Sequence, residues 1–321
     1  MSSLPPAGSV STEIDATLAQ MLGPIEALLP PTDYRSASGV EIARMLRARA
    51  PRNELPPDPR VSVEDAVMPG PEGTIQLRFY RPAGSNGATV INFHGGGWVL
   101  GSIASDEARC LQLARMTGCI VVSVEYRLAP EHPFPAPLED CYAATRWVAD
   151  NAAALGIDPG RIAVMGASAG GNLAAAVAML ARERGGPVIA YQLLVYPVCD
   201  VAMDTESHAR HGHRFPLTRE DMAWFWQQYA PGEHAAHGHA SILRAQDLRG
   251  LPPAHIVTAG CDILRDEGIA YAARLTQAGV EARVSDYPGM VHGFLAVAFN
   301  HPVSQAAMRD KAEGLRNVFS C

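Results

Sequence analysis

The chain has 321 residues, 48% of them hydrophobic and 18% charged, with a net charge of −7. That much apolar material excludes disorder as the main state, and the length fits one α/β core of roughly 200–250 residues with an added cap. The 26 basic residues include a single lysine, Lys311, so no basic stripe exists to neutralise phosphates, and nucleic acid is not expected as a partner.

Residues before Arg35, the first basic residue, lack the charged region of a signal peptide. No apolar run reaches the roughly 18 residues of a membrane span, so a cytoplasmic protein is expected. Ile14, Leu18, Met21, Leu22, Ile25 and Leu29 repeat at helical spacing ahead of a Pro-rich connector, Pro51 to Pro59. Residues 1–55 are therefore assigned to an N-terminal cap segment, packed on the core and compatible with a lid. Glu13, Asp15 and Glu26 on its polar face argue against membrane-surface binding. Residues 56–321 form the expected catalytic domain. Runs rich in Val, Ile and Tyr predict strands over 74–80, 89–93, 119–125, 161–165, 188–196, 254–259 and 281–287. Helices are predicted between and after them at 105–117, 138–154, 169–184, 265–278 and 304–319. This alternation defines the α/β class, with a mostly parallel central sheet and helices on both faces. Residues 200–240 interrupt the rhythm with Trp224, Phe225, Trp226 and Tyr229 on a helix, and are expected to contribute to the cap. The final helical segment is a candidate homodimer interface.

Chemistry concentrates at strand ends. Gly166 to Gly171 reads GASAGG between a predicted strand and an Ala-rich helix. In that setting it reads as a nucleophile elbow, because a sharp strand-to-helix turn needs small residues around Ser168, and the helix N-terminus favours a developing negative charge. His94-Gly95-Gly96-Gly97-Trp98 follows the strand at 89–93; consecutive glycines let backbone N–H groups converge on one oxygen, as acyl transfer requires. No GxGxxG fingerprint appears there, which disfavours a dinucleotide site. Asp262 and His292 each follow a predicted strand, in the order nucleophile, acid, base expected of this fold. Asp266 is a rival acid one helical turn further on. His208, His211 and His213 repeat the spacing of His234, His237 and His239; with no cysteine or carboxylate shell, both groups read as solvated loops and no metal is expected. The six cysteines, Cys110, Cys119, Cys141, Cys199, Cys261 and Cys321, contain no CxxC pair and read as reduced thiols.

Together with Glu125 to Glu131 (EYRLAPE), Asp262 to Gly268 and His292-Gly293-Phe294, these segments resemble the hormone-sensitive-lipase family of α/β-hydrolases, the bacterial family IV esterases. The likeness spans about residues 75–300. It implies carboxylic-ester hydrolysis without a cofactor, an N-terminal cap, catalytic roles for Ser168, Asp262 and His292, and oxyanion donors at the backbone of Gly96, Gly97 and Ala169. The chain departs from the family pattern at Ala167, where Asp or Thr is usual, and at Ile263, where Pro is usual.

The expected partner is a small, uncharged ester. Trp98, Leu264, Phe294, Trp224 and Trp226 are candidate pocket residues whose bulk would favour short acyl chains. An amidase or peptidase with the same triad, or a non-catalytic receptor on the same fold, are the alternatives; retention of His292 weighs against the receptor.

Overall fold

A computed structural model describes residues 13–28, 32–49, 58–213 and 216–319. Leu29, residues 51–57 of the predicted connector and Cys321 lie outside them. In chain order the elements are α1 (Ala16–Leu28), α2 (Gly39–Arg49), β1 (Val61–Pro69), β2 (Thr74–Pro82), β3 (Thr89–Phe93), α3 (Ile103–Thr117), β4 (Ile120–Glu125), α4 (Ala136–Asp150), α5 (Ala152–Leu155) and β5 (Ile162–Ala167). There follow α6 (Ala169–Glu183), β6 (Tyr191–Val195), α7 (Glu206–His211), α8 (Arg219–Tyr229), β7 (Ala254–Cys261), α9 (Arg265–Gln277), β8 (Ala282–Val291), α10 (Phe294–Val297) and α11 (Pro302–Phe319).

The described strands form one sheet in the order β1-β2-β4-β3-β5-β6-β7-β8. β2 pairs antiparallel with β1 and β4, and all remaining pairs are parallel. β3, β5, β6 and β7 are buried along their whole length, which explains their unbroken apolar sequence: each face of the sheet carries helices. Side chains from α4, α6, α8 and α9 build the core on one face, and those from α1, α3, α10 and α11 the core on the other.

The structure changes three boundaries that matter. β1 was not predicted; it is an edge strand with only Val61 and Met68 buried. β6 is shorter than the predicted 188–196 run, and Val188 is solvent-exposed. β7 and β8 extend to Cys261 and Val291, so Asp262 and His292 each follow the last strand residue directly. In α1, Leu18 and Leu22 are buried as the helical spacing predicts, while Met21 is exposed.

Candidate active site

The elbow is built by close packing of backbone. A Cβ on Gly166 would stand 2.1 Å from Gly170 O, and one on Gly170 would stand 2.0 Å from Phe93 O, so glycine at both positions lets α6 start directly against β3 and β5. Ser168 sits at φ 59°, ψ −120°, a conformation costly for a residue with a side chain. It is held there by its own N–H donating to Val195 O at 2.9 Å and by its carbonyl accepting from Asn172 N and Val198 N. The Asn172 side chain donates in turn to Val198 O and Ala240 O, pinning the loop beyond β6.

His292 follows β8 and Asp262 follows β7. His292 Nε2 lies 3.1 Å from Ser168 Oγ, and His292 Nδ1 lies 2.7 Å from Asp262 Oδ2. Asp262 is buried, and its other oxygen accepts from Leu264 N at 2.9 Å. Asp266, the rival acid, is engaged elsewhere: it accepts from Ser207 N and pairs with Arg265. Tyr196 packs edge-on against the His292 ring at 4.8 Å, and burial pushes its phenol up to about 12, so it stays neutral.

The glycine loop after β3 faces this line of residues. Gly96 adopts φ 119°, and its carbonyl accepts from Val99 N and Leu100 N, which closes the turn. Among the described residues no backbone acceptor occupies the N–H of Gly96, Gly97 or Ala169. His94 supports the turn from below. It stacks on Tyr126 at 4.2 Å, and burial lowers its pKa to about 4, so the ring is neutral.

Ser168 and His292 line a cavity of about 320 Å³ together with Gly96, Gly97, Ala167 and Tyr196. Its apolar wall comes from Leu217, Met222 and Phe225, and Ser105, Asp106 and Arg109 of α3 form a polar side. A larger open groove on the outer side of α3, about 660 Å³, contains none of the strand-end residues.

The five side chains assigned to the pocket from sequence do not line this cavity. Trp98 stacks on Tyr229 at 4.1 Å in the core, and Leu264 is fully buried. Phe294 packs against Tyr196 and Tyr287. Trp224 stacks on Tyr34 at 4.9 Å, and its neighbour Phe225 takes the cavity face, where a Cβ on Gly97 would strike its ring. Trp226 likewise packs on Trp98. No described residue of the 1–55 segment lines the cavity: the roof is the 216–225 stretch, with Tyr34 stacked on Trp224, while Leu18 and Leu22 of α1 pack in the other core.

The histidine groups also differ from expectation. His208 and His211 are buried in α7, whose N-cap Thr205 contacts His208 Nδ1 at 2.8 Å; burial holds His208 below the usual histidine range. His237 and His239 are ring neighbours beside Phe134 and Glu183. Among the described residues no set of His, Cys, Asp and Glu side chains is arranged to hold a metal ion. The five described cysteines are buried.

Sheet order, elbow and the Ser–His–Asp line are those of an α/β-hydrolase. A family model described as alpha/beta hydrolase fold matches residues 90–296. Carboxylesterase NlhH of Mycobacterium tuberculosis is 40% identical over 305 residues, 92% of this chain and 93% of that protein. The ethyl acetate hydrolase of Pseudomonas putida is 38% identical over 229 residues, 69% of this chain and 72% of that one. Among solved structures, the hyperthermophilic esterase of the archaeon Pyrobaculum calidifontis matches with a TM-score of 0.87 at 38% identity, covering 96% of this chain and 100% of that chain. The chain belongs to the hormone-sensitive-lipase family of α/β-hydrolases, the family IV esterases.

Proposed function

We propose that Ser168, His292 and Asp262 are the catalytic triad of a serine carboxylesterase that takes short-chain, uncharged esters through an acyl-enzyme. The chain is a carboxylic-ester hydrolase, as its relatives are. The observation that carries the residue roles is the unbroken contact line from Asp262 through His292 to Ser168, opening into a cavity edged by the glycine loop.

As Ser168 Oγ bonds to the ester carbonyl carbon, its proton passes to His292 Nε2. The carbonyl oxygen takes up the negative charge facing the N–H groups of Gly96, Gly97 and Ala169. His292 then gives the proton to the departing alkoxide as the ester C–O bond breaks, and the alcohol leaves an acyl group on Ser168. Water repeats the sequence, losing its proton to His292 and releasing the carboxylic acid and Ser168. Asp262 keeps the Nδ1–H directed and offsets the charge of the imidazolium.

Short chains fit a cavity near the small end of ligand pockets, and the ring of Phe225 lies over Gly97. Across p-nitrophenyl esters from acetate to palmitate, kcat/KM should peak between acetate and hexanoate. A maximum at palmitate would overturn the short-chain assignment. The reading also includes a reducing, cytoplasmic setting, in keeping with five described cysteines that are buried and unbridged. It includes self-association through the outer face of α11, where Val318 is exposed.

A further inference from the structure

Beneath the elbow lies a second cavity of only about 10 Å³. It shares Asp106, Arg109, Ala167 and Tyr196 with the catalytic cavity, and Asn92 and Lys311 help to close it. Lys311, the one lysine of the chain, is 3% exposed and projects from α11. Among the described residues no acidic group pairs with it; the charges it feels are the repelling Arg109 guanidinium and the Cys110 thiol, which burial keeps protonated. Asp106, the acid of the cluster, is already engaged by Arg109 and by Asn92 Nδ2 at 3.2 Å. Ala167 adds only a methyl group to the wall.

Two cationic side chains, Lys311 and Arg109, therefore line one small cavity with a single carboxylate, Asp106. An ammonium buried without a counter-charge is costly, so the amine either sheds its proton or acquires an anion. The free volume is that of one water molecule, and the surrounding donors suit a spherical anion of similar size.

We propose that this cavity is a binding site for a single small monovalent anion of chloride size, with Lys311 as its main partner and Arg109 beside it. Anion binding and protonation of Lys311 are then linked: each favours the other. Asp106, Arg109, Cys110 and Tyr196 are the titratable groups that face the site, and Arg109 and Asp106 carry its influence into the catalytic cavity. The site stands independently of the role given to Ser168.

Because the chain has one lysine, ¹³C-lysine labelling yields a single side-chain Cε signal to titrate. In sodium gluconate, whose anion is too large to enter, the amine should titrate near 7, the value to which burial lowers it. Chloride should raise that midpoint saturably by about one pH unit or more, a tenfold gain in proton affinity. Ala167→Asp, which places a carboxylate in the wall, should raise the midpoint in gluconate and remove the chloride response. A midpoint indifferent to chloride, a chloride response unchanged in Ala167→Asp, or an amine titrating near the ordinary value of about 10.4 in both salts overturns the proposal. Should Ala167→Asp fail to fold, Lys311→Met replaces it: the chloride-dependent rise in Tm expected of the native chain should vanish, and its persistence would equally overturn the site.

Discussion

At the carboxyl ends of β5, β7 and β8, the groups proposed to react are fixed by backbone. Ser168 N donates to Val195 O, Leu264 N donates to Asp262, and His292 is the first residue beyond β8. Over the cavity, the roof is fixed by side chains. α8 leans on the N-terminal segment through the Tyr34 ring on Trp224 and the Tyr34 hydroxyl donating to Asp221. α2 is fastened by Arg47, which donates to Val99 O at 2.8 Å and Ala129 O at 2.7 Å and forms a forked pair with Glu131. Chemistry thus rests on strand register, which tolerates few substitutions, whereas cavity shape rests on contacts that single substitutions can remove.

The strongest way to break this contrast is at the acid. Asp262→Asn should lower kcat on p-nitrophenyl acetate by a thousandfold to ten-thousandfold, on the order of what losing the orienting acid costs in a Ser–His–Asp triad. Asp266→Asn should leave kcat within about threefold, because Asp266 serves Ser207 and Arg265. Equal losses in the two variants would erase the distinction between reacting and bracing acids.

A smaller effect is expected where roof and floor meet. Val99 lies two residues beyond Gly97, so Arg47 ties α2 to the glycine loop; the hydrogen bonds its guanidinium donates to Glu131 also hold that carboxyl below the usual range. Arg47→Ala should cost roughly tenfold in kcat with KM nearly unchanged, because an oxyanion donor moved from its place acts on the transition state rather than on ground-state binding. A change confined to KM would assign Arg47 to the cavity wall instead.

The smallest effect is on stability. Burial lowers His94 to about 4, below the ordinary value of 6.5, so between these pH values the unfolded chain takes up a proton that the fold refuses. Unfolding is therefore favoured as pH falls through that window, by at most about 3 kcal/mol below pH 4. Tm should decline from pH 7 to pH 4, and His94→Gln should flatten the slope. An unchanged slope would move the acid sensitivity to another group.

Legibility in the sequence followed the same division. Ser168, Asp262, His292 and the glycine loop could be read because each sits at the end of an apolar run, a position that local sequence marks. β1 escaped notice because an edge strand with seven of its nine residues not buried lacks the apolar run used to find the others. The wall residues were misassigned because adjacency along the chain does not fix direction. Trp224 and Phe225 are one residue apart, about 100° around α8, so one meets Tyr34 and the other the cavity. Trp98 follows Gly97 but turns at φ 60° into the core against Tyr229. Tyr196 had a usable signal, since it directly follows the last residue of β6, the same kind of position that marked Asp262 and His292. Arg109 and Lys311 had none, because α3 and α11 meet beneath the elbow only through the fold.

The most direct measurement is the turnover of p-nitrophenyl acetate by Ser168→Ala, with Tm confirming that the variant is folded. The account predicts a loss in kcat/KM of about ten-thousandfold or more, with any remaining rate due to binding and the glycine loop. A folded Ser168→Ala protein that retains hydrolysis within about tenfold of the native chain would contradict it.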